Sequence, residues 1–410
     1  MEVLESLFTK ALKLESPWEI SKVEFQEDKG VIKVFVDFPR GSVFCCPVCG
    51  KETKAYDTTK KEWRHLNFFQ YACYLVVRVP RIDCPTDGIH QIELPWARNG
   101  ADFTFLFESF AMTLVREMPV NKVSQIIKVD DNKLWRMMYY YTEAARQLED
   151  YAGVNKLGVD ETSKTKGHNY VSLFVDLAEK RTIFVAEGKG SETMNAFAQD
   201  FKAHHGNPDD ITDVSMDMSP AFIKGVEENL HNATITFDKY HILKIINTAV
   251  DEVRKNEAKQ QNLLRGQKYL FLRNRQNLSE SQLKALQSIE SMSKLNLKTV
   301  KAYHIRENFQ EIYKEENREG FEKSLKKWYF WATHSRIEEM KETAKTIKRH
   351  WSGVLQWYDS RINNGILEGL NSLVQAAKAK ARGYRTFKNL KTIIYMLTGK
   401  LDYSKVGLPT

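Results

Sequence analysis

No run of apolar residues in the 410-residue chain is long enough to span a bilayer, which excludes a helical membrane protein. The first residues, MEVLESLFTK, do not read as a signal peptide, so a soluble, cytoplasmic protein is expected. Cysteine is scarce. There are five, and Cys46 and Cys49 form a CxxC, which in a reducing compartment points to metal or redox chemistry and away from a disulfide framework. Proline is absent from 251–355, and acidic residues are absent from KAKARGYRTFKNLK at 378–391.

Charge is present but uneven. The net charge is +8, yet residues 251–410 hold 31 basic against 17 acidic side chains, an excess of 14. Residues 1–250 are therefore net −6. Cations gathered on one portion of a chain are the footprint of a polyanion partner. In 378–391 the cations are Lys378, Lys380, Arg382, Arg385, Lys388 and Lys391, a run suited to gripping phosphates.

Three acids stand in distinctive settings. Asp160 lies in KLGVDETS, at the tip of a buried strand. Asp217 lies in ITDVSMDMSPAF, where a strand gives way to a helix. Glu368 lies in NNGILEGLNSLVQAAKAK, on a distant helix. Two carboxylates on adjacent strand ends plus a Glu from a helix can hold two divalent ions for phosphoryl transfer. Oxygen-only ligands select Mg²⁺ or Mn²⁺ over zinc. The simpler expectation for Asp217 is a helix cap, and for Asp160 a solvated strand end.

Apolar and polar residues alternate in VEFQEDKG and VIKVFVDFP about a turn at Asp28-Lys29-Gly30, which predicts a β-hairpin. Cys46-Pro-Val-Cys49-Gly50 then has the form of a zinc knuckle, and later strands deliver Cys84. Helical spacing begins at FTFLFESFAMTLVREM. Pro119 opens a second helix, Lys128-Val129-Asp130 makes a turn, and a third helix starts at about Asp131. In such a helix-turn-helix the third helix enters the major groove by its N-terminal end. Asn132, Lys133 and Arg136 would face bases or phosphates, with Val123, Ile127 and Leu134 in the core.

From 154 to 250 the pattern is three strands, a helix, a strand, a helix, a strand and a helix, which is the RNase H-like order. Asp238 and His241, in FDKYH, follow the last strand and suit a supporting role: His241 could orient a carboxylate or touch a phosphate. Residues 251–355 read as helices, with Trp328, Trp331, Trp351 and Trp357 expected in their core.

The words GVDETS, DMSPAFIKGV, ITFDKYHILKIIN and NGILEGLNS, in this order, resemble the bacterial insertion-sequence transposases of the ISL3 family, from about Cys46 to about Lys400. The resemblance implies an α/β plus α chain. An N-terminal zinc ribbon and a helix-turn-helix would precede an RNase H-like α/β catalytic domain of DDE type, interrupted by a helical insertion. The implied divisions are a hairpin segment at 1–40, ribbon at 41–97, helix-turn-helix at 98–152, catalytic domain at 153–250 and 358–410, and insertion at 251–357.

Asp160, Asp217 and Glu368 match the family's three acids, which hold two Mg²⁺ or Mn²⁺ ions. A structural Zn²⁺ is implied at Cys46, Cys49 and Cys84. The family usually repeats CxxC or CxxH at the last of these. Here the segment is Cys84-Pro-Thr-Asp87-Gly-Ile-His90, so His90 is the expected fourth ligand, with Asp87 and Cys45 as alternatives. The implied partners are the element's terminal inverted repeats and target DNA, bound by a homo-oligomer, a dimer, associated with the bacterial nucleoid. The alternatives are an element-derived DNA-binding regulator that does not cleave, and an RNase H-like nuclease or resolvase.

Overall fold

A computed structural model describes residues 2–164, 169–292, 295–362 and 365–409. Asn364, the first residue of the last family word, and Asn363 before it lie outside the described residues. The chain forms two compact units. One comprises Met1–Glu149 with Ala377–Thr410, and the other Asp150–Ala376.

The first unit opens with α1 (Glu2–Ala11) and a hairpin of β1 (Glu19–Gln26) and β2 (Val31–Asp37), turned at Gly30 with φ +62°. Four strands follow: β3 (Val43–Cys45), β4 (Glu52–Arg64), β5 (Ala72–Cys84) and β6 (Gly88–Gln91). The sheet order is β1-β2-β5-β4-β3, with β6 on β5. The hairpin was expected as a segment of its own. It instead joins the ribbon sheet, because β2 runs parallel to β5, and Ile32, Val34 and Val36 share one core with Leu75, Val77 and Val79.

Three helices complete this part: α2 (Phe105–Glu117), α3 (Val120–Ile127) and α4 (Asp131–Gln147). Thr104 caps α2, Pro119 precedes α3, Lys128 ends α3 at φ +53°, and the Asp130 side chain caps α4. Val123, Ile127 and Leu134 are buried among them, as their spacing predicts. The buried carboxylate of Glu108 lies beneath, held by Arg98 at 2.9 Å and by the Tyr141 hydroxyl at 2.6 Å. Burial pushes its pKa up, and those two partners oppose the rise.

The second unit contains β7 (Lys156–Ser163), β8 (Tyr170–Asp176), β9 (Arg181–Glu187), α5 (Ser191–Ala203), β10 (Asp213–Met216), α6 (Pro220–Asn229), β11 (Thr234–Phe237) and α7 (Lys239–Glu257). The sheet order is β11-β10-β7-β8-β9. The pairs β7–β8 and β8–β9 are antiparallel, while β10 is parallel to both β7 and β11.

Helices α8 (Lys268–Leu272), α9 (Glu280–Ser291), α10 (Lys298–Ile312), α11 (Arg318–Thr333), α12 (Glu338–Arg349) and α13 (Trp351–Ser360) then lead to α14 (Gly365–Lys380). Val159, Phe174 and Phe237 of the sheet belong to the same core cluster as Phe309 and Trp328 of this helical block. Trp328 is fully buried, its indole N–H donating to the Ile305 carbonyl at 2.8 Å. Trp351 and Trp357 pack at the core's margin, but Trp331 is 37% exposed and lies outside it.

The last helix, α15 (Phe387–Thr398), departs from the expected division. Residues 377–410 belong to the first unit, where Ile393, Met396 and Leu408 fill the core of α2, α3 and α4. The apolar face of α15 satisfies its burial against the helix-turn-helix.

Candidate active site and metal cluster

Parallel pairing brings the aspartates onto neighbouring strands. Ser215 of β10 pairs with Gly158 of β7, so two residues further along these strands come Asp217 and Asp160. Met216 pairs with Phe237 of β11, so the next residues are Asp217 and Asp238, and the Asp238 N–H donates to the Met216 carbonyl at 3.0 Å. Asp217 and Asp238 therefore follow the ends of β10 and β11, whereas Asp160 lies within β7 and not at its tip, because Glu161, Thr162 and Ser163 continue the strand against β8.

Each also meets a local donor. Asp160 Oδ1 accepts from the Glu161 N–H at 2.8 Å, Asp217 Oδ1 from Ser219 at 2.9 Å and Asp238 Oδ1 from Tyr240 at 2.9 Å. The cap expected at Asp238 is present. Asp217 forms a similar turn ahead of α6, whose N-cap is Ser219. His241 Nε2 stands 3.8 Å from Asp238 Oδ2.

Burial pushes the pKa of Asp160 up. The Glu161 N–H and His241 pull it down, and Asp238 and Asp217 add to the rise. Glu161, a carboxylate that sequence reasoning passed over, is pushed up to about 7, first by burial and then by Asp217.

The helix bearing Glu368 docks on β7. Gly158 makes room for it: a Cβ there would lie 2.8 Å from Leu177 Cδ2 and 2.9 Å from Leu367 Cδ2. Leu367 seats α14 against Val175 and Leu177. Further along the helix, Asn371 Nδ2 donates to Asp160 Oδ2 and Gln375 Nε2 to Thr162 Oγ1. Glu368 is exposed and precedes Asn371 by three residues, so the two share one helix face. Neither Gly158 nor Asn371 was legible as a site residue. Gly369 faces open space, so packing does not demand its glycine.

The first unit holds a second cluster. One ligand atom each from Cys46, Cys49, Cys84 and Asp87 lies within 4.8 Å of every other. Cys49 Sγ and Cys84 Sγ are 3.5 Å apart, and Asp87 Oδ2 is 3.3 Å from Cys84 Sγ and 3.5 Å from Cys46 Sγ. Tetrahedral thiolates about 2.3 Å from a zinc ion stand roughly 3.8 Å apart, so these donors fit that ion. Gly50, at φ +75°, lets the chain fold under the knuckle. Hydrogen bonds from Cys49 and then Cys84 hold the Asp87 carboxyl down to about 2.

His90 is not in this cluster, which corrects the expectation that it is the fourth ligand. It pairs with Ile82 on the β5–β6 ladder, and its Nε2 lies 2.8 Å from the Asp87 carbonyl. The tight turn from Cys84 to Gly88 turns Asp87 toward the thiols instead. Cys45 is exposed on β3 and also outside the cluster.

On the helix-turn-helix, the Asp130 side chain accepts from the Asn132 N–H at 2.9 Å. Lys133 and Arg136 both reach Asp102, at 3.2 and 2.7 Å, and Arg136 remains 65% exposed. Asp102 was not foreseen.

The basic run belongs to this unit from residue 377 onward. Lys380 Nζ donates to the Glu117 carbonyl at 3.2 Å, and Lys388 lies 4.2 Å over the Tyr139 ring. Burial pushes the Lys378 pKa down. Arg382, at φ +56°, lies in the turn before α15, followed by Arg385, while Lys391 on α15 lies 5.9 Å over Tyr395.

Comparison with known proteins identifies three domains along the chain. Residues 157–394 match a family model described as a transposase. Residues 42–87 match the zinc-finger of transposases IS204/IS1001/IS1096/IS1165, and residues 92–142 the helix-turn-helix domain of transposase family ISL3. Two relatives are the transposases for insertion sequence elements IS1557 of Mycobacterium tuberculosis and IS1001 of Bordetella parapertussis. The first is 24% identical over 419 residues, covering 93% of this chain and 92% of the relative. The second is 24% identical over 377 residues, covering 89% and 91%. No helix among the described residues is long and apolar enough to cross a membrane.

Proposed function

The chain belongs to the ISL3 family of transposases, DNA-binding enzymes of insertion sequences, and we propose that it cuts and joins strands through Asp160, Asp217 and Glu368. The reading rests above all on the parallel register of β7 and β10, which sets Asp217 beside Asp160, while Asn371 ties the Glu368 helix to that carboxylate. The sheet order β9-β8-β7-β10-β11 supports an RNase H-like catalytic core, with α8–α13 as its helical insertion.

Two Mg²⁺ or Mn²⁺ ions held by these acids would activate water and stabilise the leaving oxygen. The protein's own part would be to present Asp160 from within β7, Asp217 from the end of β10 and Glu368 from α14 to those ions. His241, 3.8 Å from Asp238, can orient that carboxylate or touch a phosphate. A zinc ion held by Cys46, Cys49, Cys84 and Asp87 would brace the ribbon.

Recognition of the terminal inverted repeats falls to Asn132, Lys133 and Arg136 at the N-terminal end of α4. The cations of 378–391, in the same unit, add sequence-independent phosphate contacts. The active form is a dimer on DNA in the bacterial cytoplasm. A regulator that only binds has no use for three converging carboxylates, and a nuclease of branched DNA has no use for the helix-turn-helix.

Glu368→Gln tests the reading. It should bind an element-end duplex as the wild type does and leave it uncut, whereas cleavage at the wild-type rate would overturn it.

A further inference from the structure

The side chain of Asn371 is half explained. Its Nδ2 donates to Asp160 Oδ2, but its Oδ1 is buried without a hydrogen-bond partner. A buried carbonyl left unpaired costs about 1–3 kcal/mol, and native structures rarely leave one without a reason. A helix needing only a clasp onto β7 already has Gln375 on Thr162 and Leu367 in the Gly158 notch.

A cation would supply the missing partner. Amide oxygens are hard ligands of the kind Mg²⁺ and Mn²⁺ take. The amide adjoins a carboxylate at the meeting point of Asp160, Asp217 and Asp238. Glu368 lies one turn back on the same face of α14. A neutral oxygen is also suited to this place. A fourth carboxylate beside Asp160 would add repulsion, whereas an amide adds coordination without charge.

We propose that Asn371 is a ligand of the divalent ion held by Asp160, through its side-chain carbonyl oxygen. The proposal rests on the reading of Asp160 as a metal-holding acid. It makes the helix contribute two ligand positions, Glu368 and Asn371, in place of one.

The test is Mn²⁺ binding to the full, zinc-loaded chain, followed by the spectroscopic signal of free Mn²⁺ and by the rise in melting temperature on adding the ion. Asn371→Ala should weaken binding by about tenfold or more, the scale of losing a partner at a metal site. Asn371→Asp keeps an oxygen ligand but cannot donate to Asp160. It should bind at least as tightly as the wild type, with a larger rise in melting temperature, because the ion relieves the carboxylate repulsion.

A residue that serves only as a clasp gives the opposite order, with Asn371→Asp no better than Asn371→Ala, and that order would overturn the proposal. Wild-type binding by Asn371→Ala would overturn it too. Asp160→Asn separates the two levels of inference. If it loses Mn²⁺ while Asn371→Ala does not, only the role of Asn371 falls; if it binds normally, the acid site falls and this proposal with it.

Discussion

Position 158 tests how tightly the helix that carries Glu368 is seated. The Cβ of Gly158→Ala would stand 2.8 Å from Leu177 Cδ2, and 2.9 and 3.1 Å from the two terminal methyls of Leu367. Overpacking a filled core costs about 1–3 kcal/mol. Because the opposing atoms are side-chain ends that can turn aside, the lower half of that range applies. Replacing a strand glycine returns about 0.4–1 kcal/mol through the unfolded chain. The net loss should therefore be modest, roughly 0.5–1 kcal/mol by these two ranges.

The consequence for function should be larger than that for stability. The methyls displaced belong to the residue adjoining Glu368, and a shift of about 1 Å at a catalytic group can cost on the order of 100-fold in rate. Native-state hydrogen exchange at the β7 amides would read the stability term, and cleavage of an end duplex the functional one. Leu367→Ala should lose about 2–3 kcal/mol, near the low end for a buried leucine, because the cluster around it is small. In the double variant the new methyl occupies space that Leu367 has vacated, so the two losses should fall short of additive by about 1 kcal/mol. Strict additivity, with cleavage unaffected by Gly158→Ala, would refute the idea that this notch positions Glu368.

Three further outcomes are expected. Asp102→Ala should free Lys133 and Arg136 and raise affinity for any duplex several-fold, since exposed pairs are worth about 0.2–1 kcal/mol each; anisotropy titrations with unrelated duplexes check this, and unchanged binding would mean Asp102 does not compete with DNA. Zinc content should fall in Cys46→Ser and Cys84→Ser, and in Asp87→Ala before His90→Ala, with the reverse order in elemental analysis restoring His90 as the ligand. Burial and then the Arg64 cation lower the His65 pKa to about 4 from 6.5. The unfolded chain thus binds the extra proton, so stability should rise with pH between about 4 and 6.5, by up to roughly 3 kcal/mol, and His65→Gln should flatten that slope in urea titrations.

Local pattern carried much of the architecture. Pro119 and the Lys128–Asp130 turn marked helix boundaries because their backbone constraints act within a few residues, and the strands from 156 to 237 announced themselves by apolar runs. What pattern could not carry was partnership. An amphipathic helix at 387–398 says that one face is buried, not that α2–α4 bury it. Parallel pairing of β2 with β5 joins segments about forty residues apart, so the hairpin could not be assigned to the ribbon sheet in advance. Asn371 reads as an ordinary polar helix residue until its partner, 211 positions earlier, is in view. The fourth position of the metal cluster turned on the direction of one short turn, which spacing leaves open.

The junction between ribbon and helix-turn-helix sets a limit on the DNA. The Asp102 carbonyl accepts from the Arg64 N–H at 3.0 Å, Thr104 N–H donates to the Arg64 carbonyl at 3.0 Å, and His65 Nδ1 lies 2.8 Å from the hydroxyl that caps α2. The end of β4 is thus stitched to the start of α2 with no slack between them. A reader built this way measures helical phase as well as sequence. We propose that the ribbon meets the element end beside α4; one base pair added between their two stretches would then displace the second by about 3.4 Å and rotate it by roughly 35°. A stitched junction cannot follow that rotation, so on this proposal the terminal repeats would be held to a fixed internal length even where their bases are free to vary.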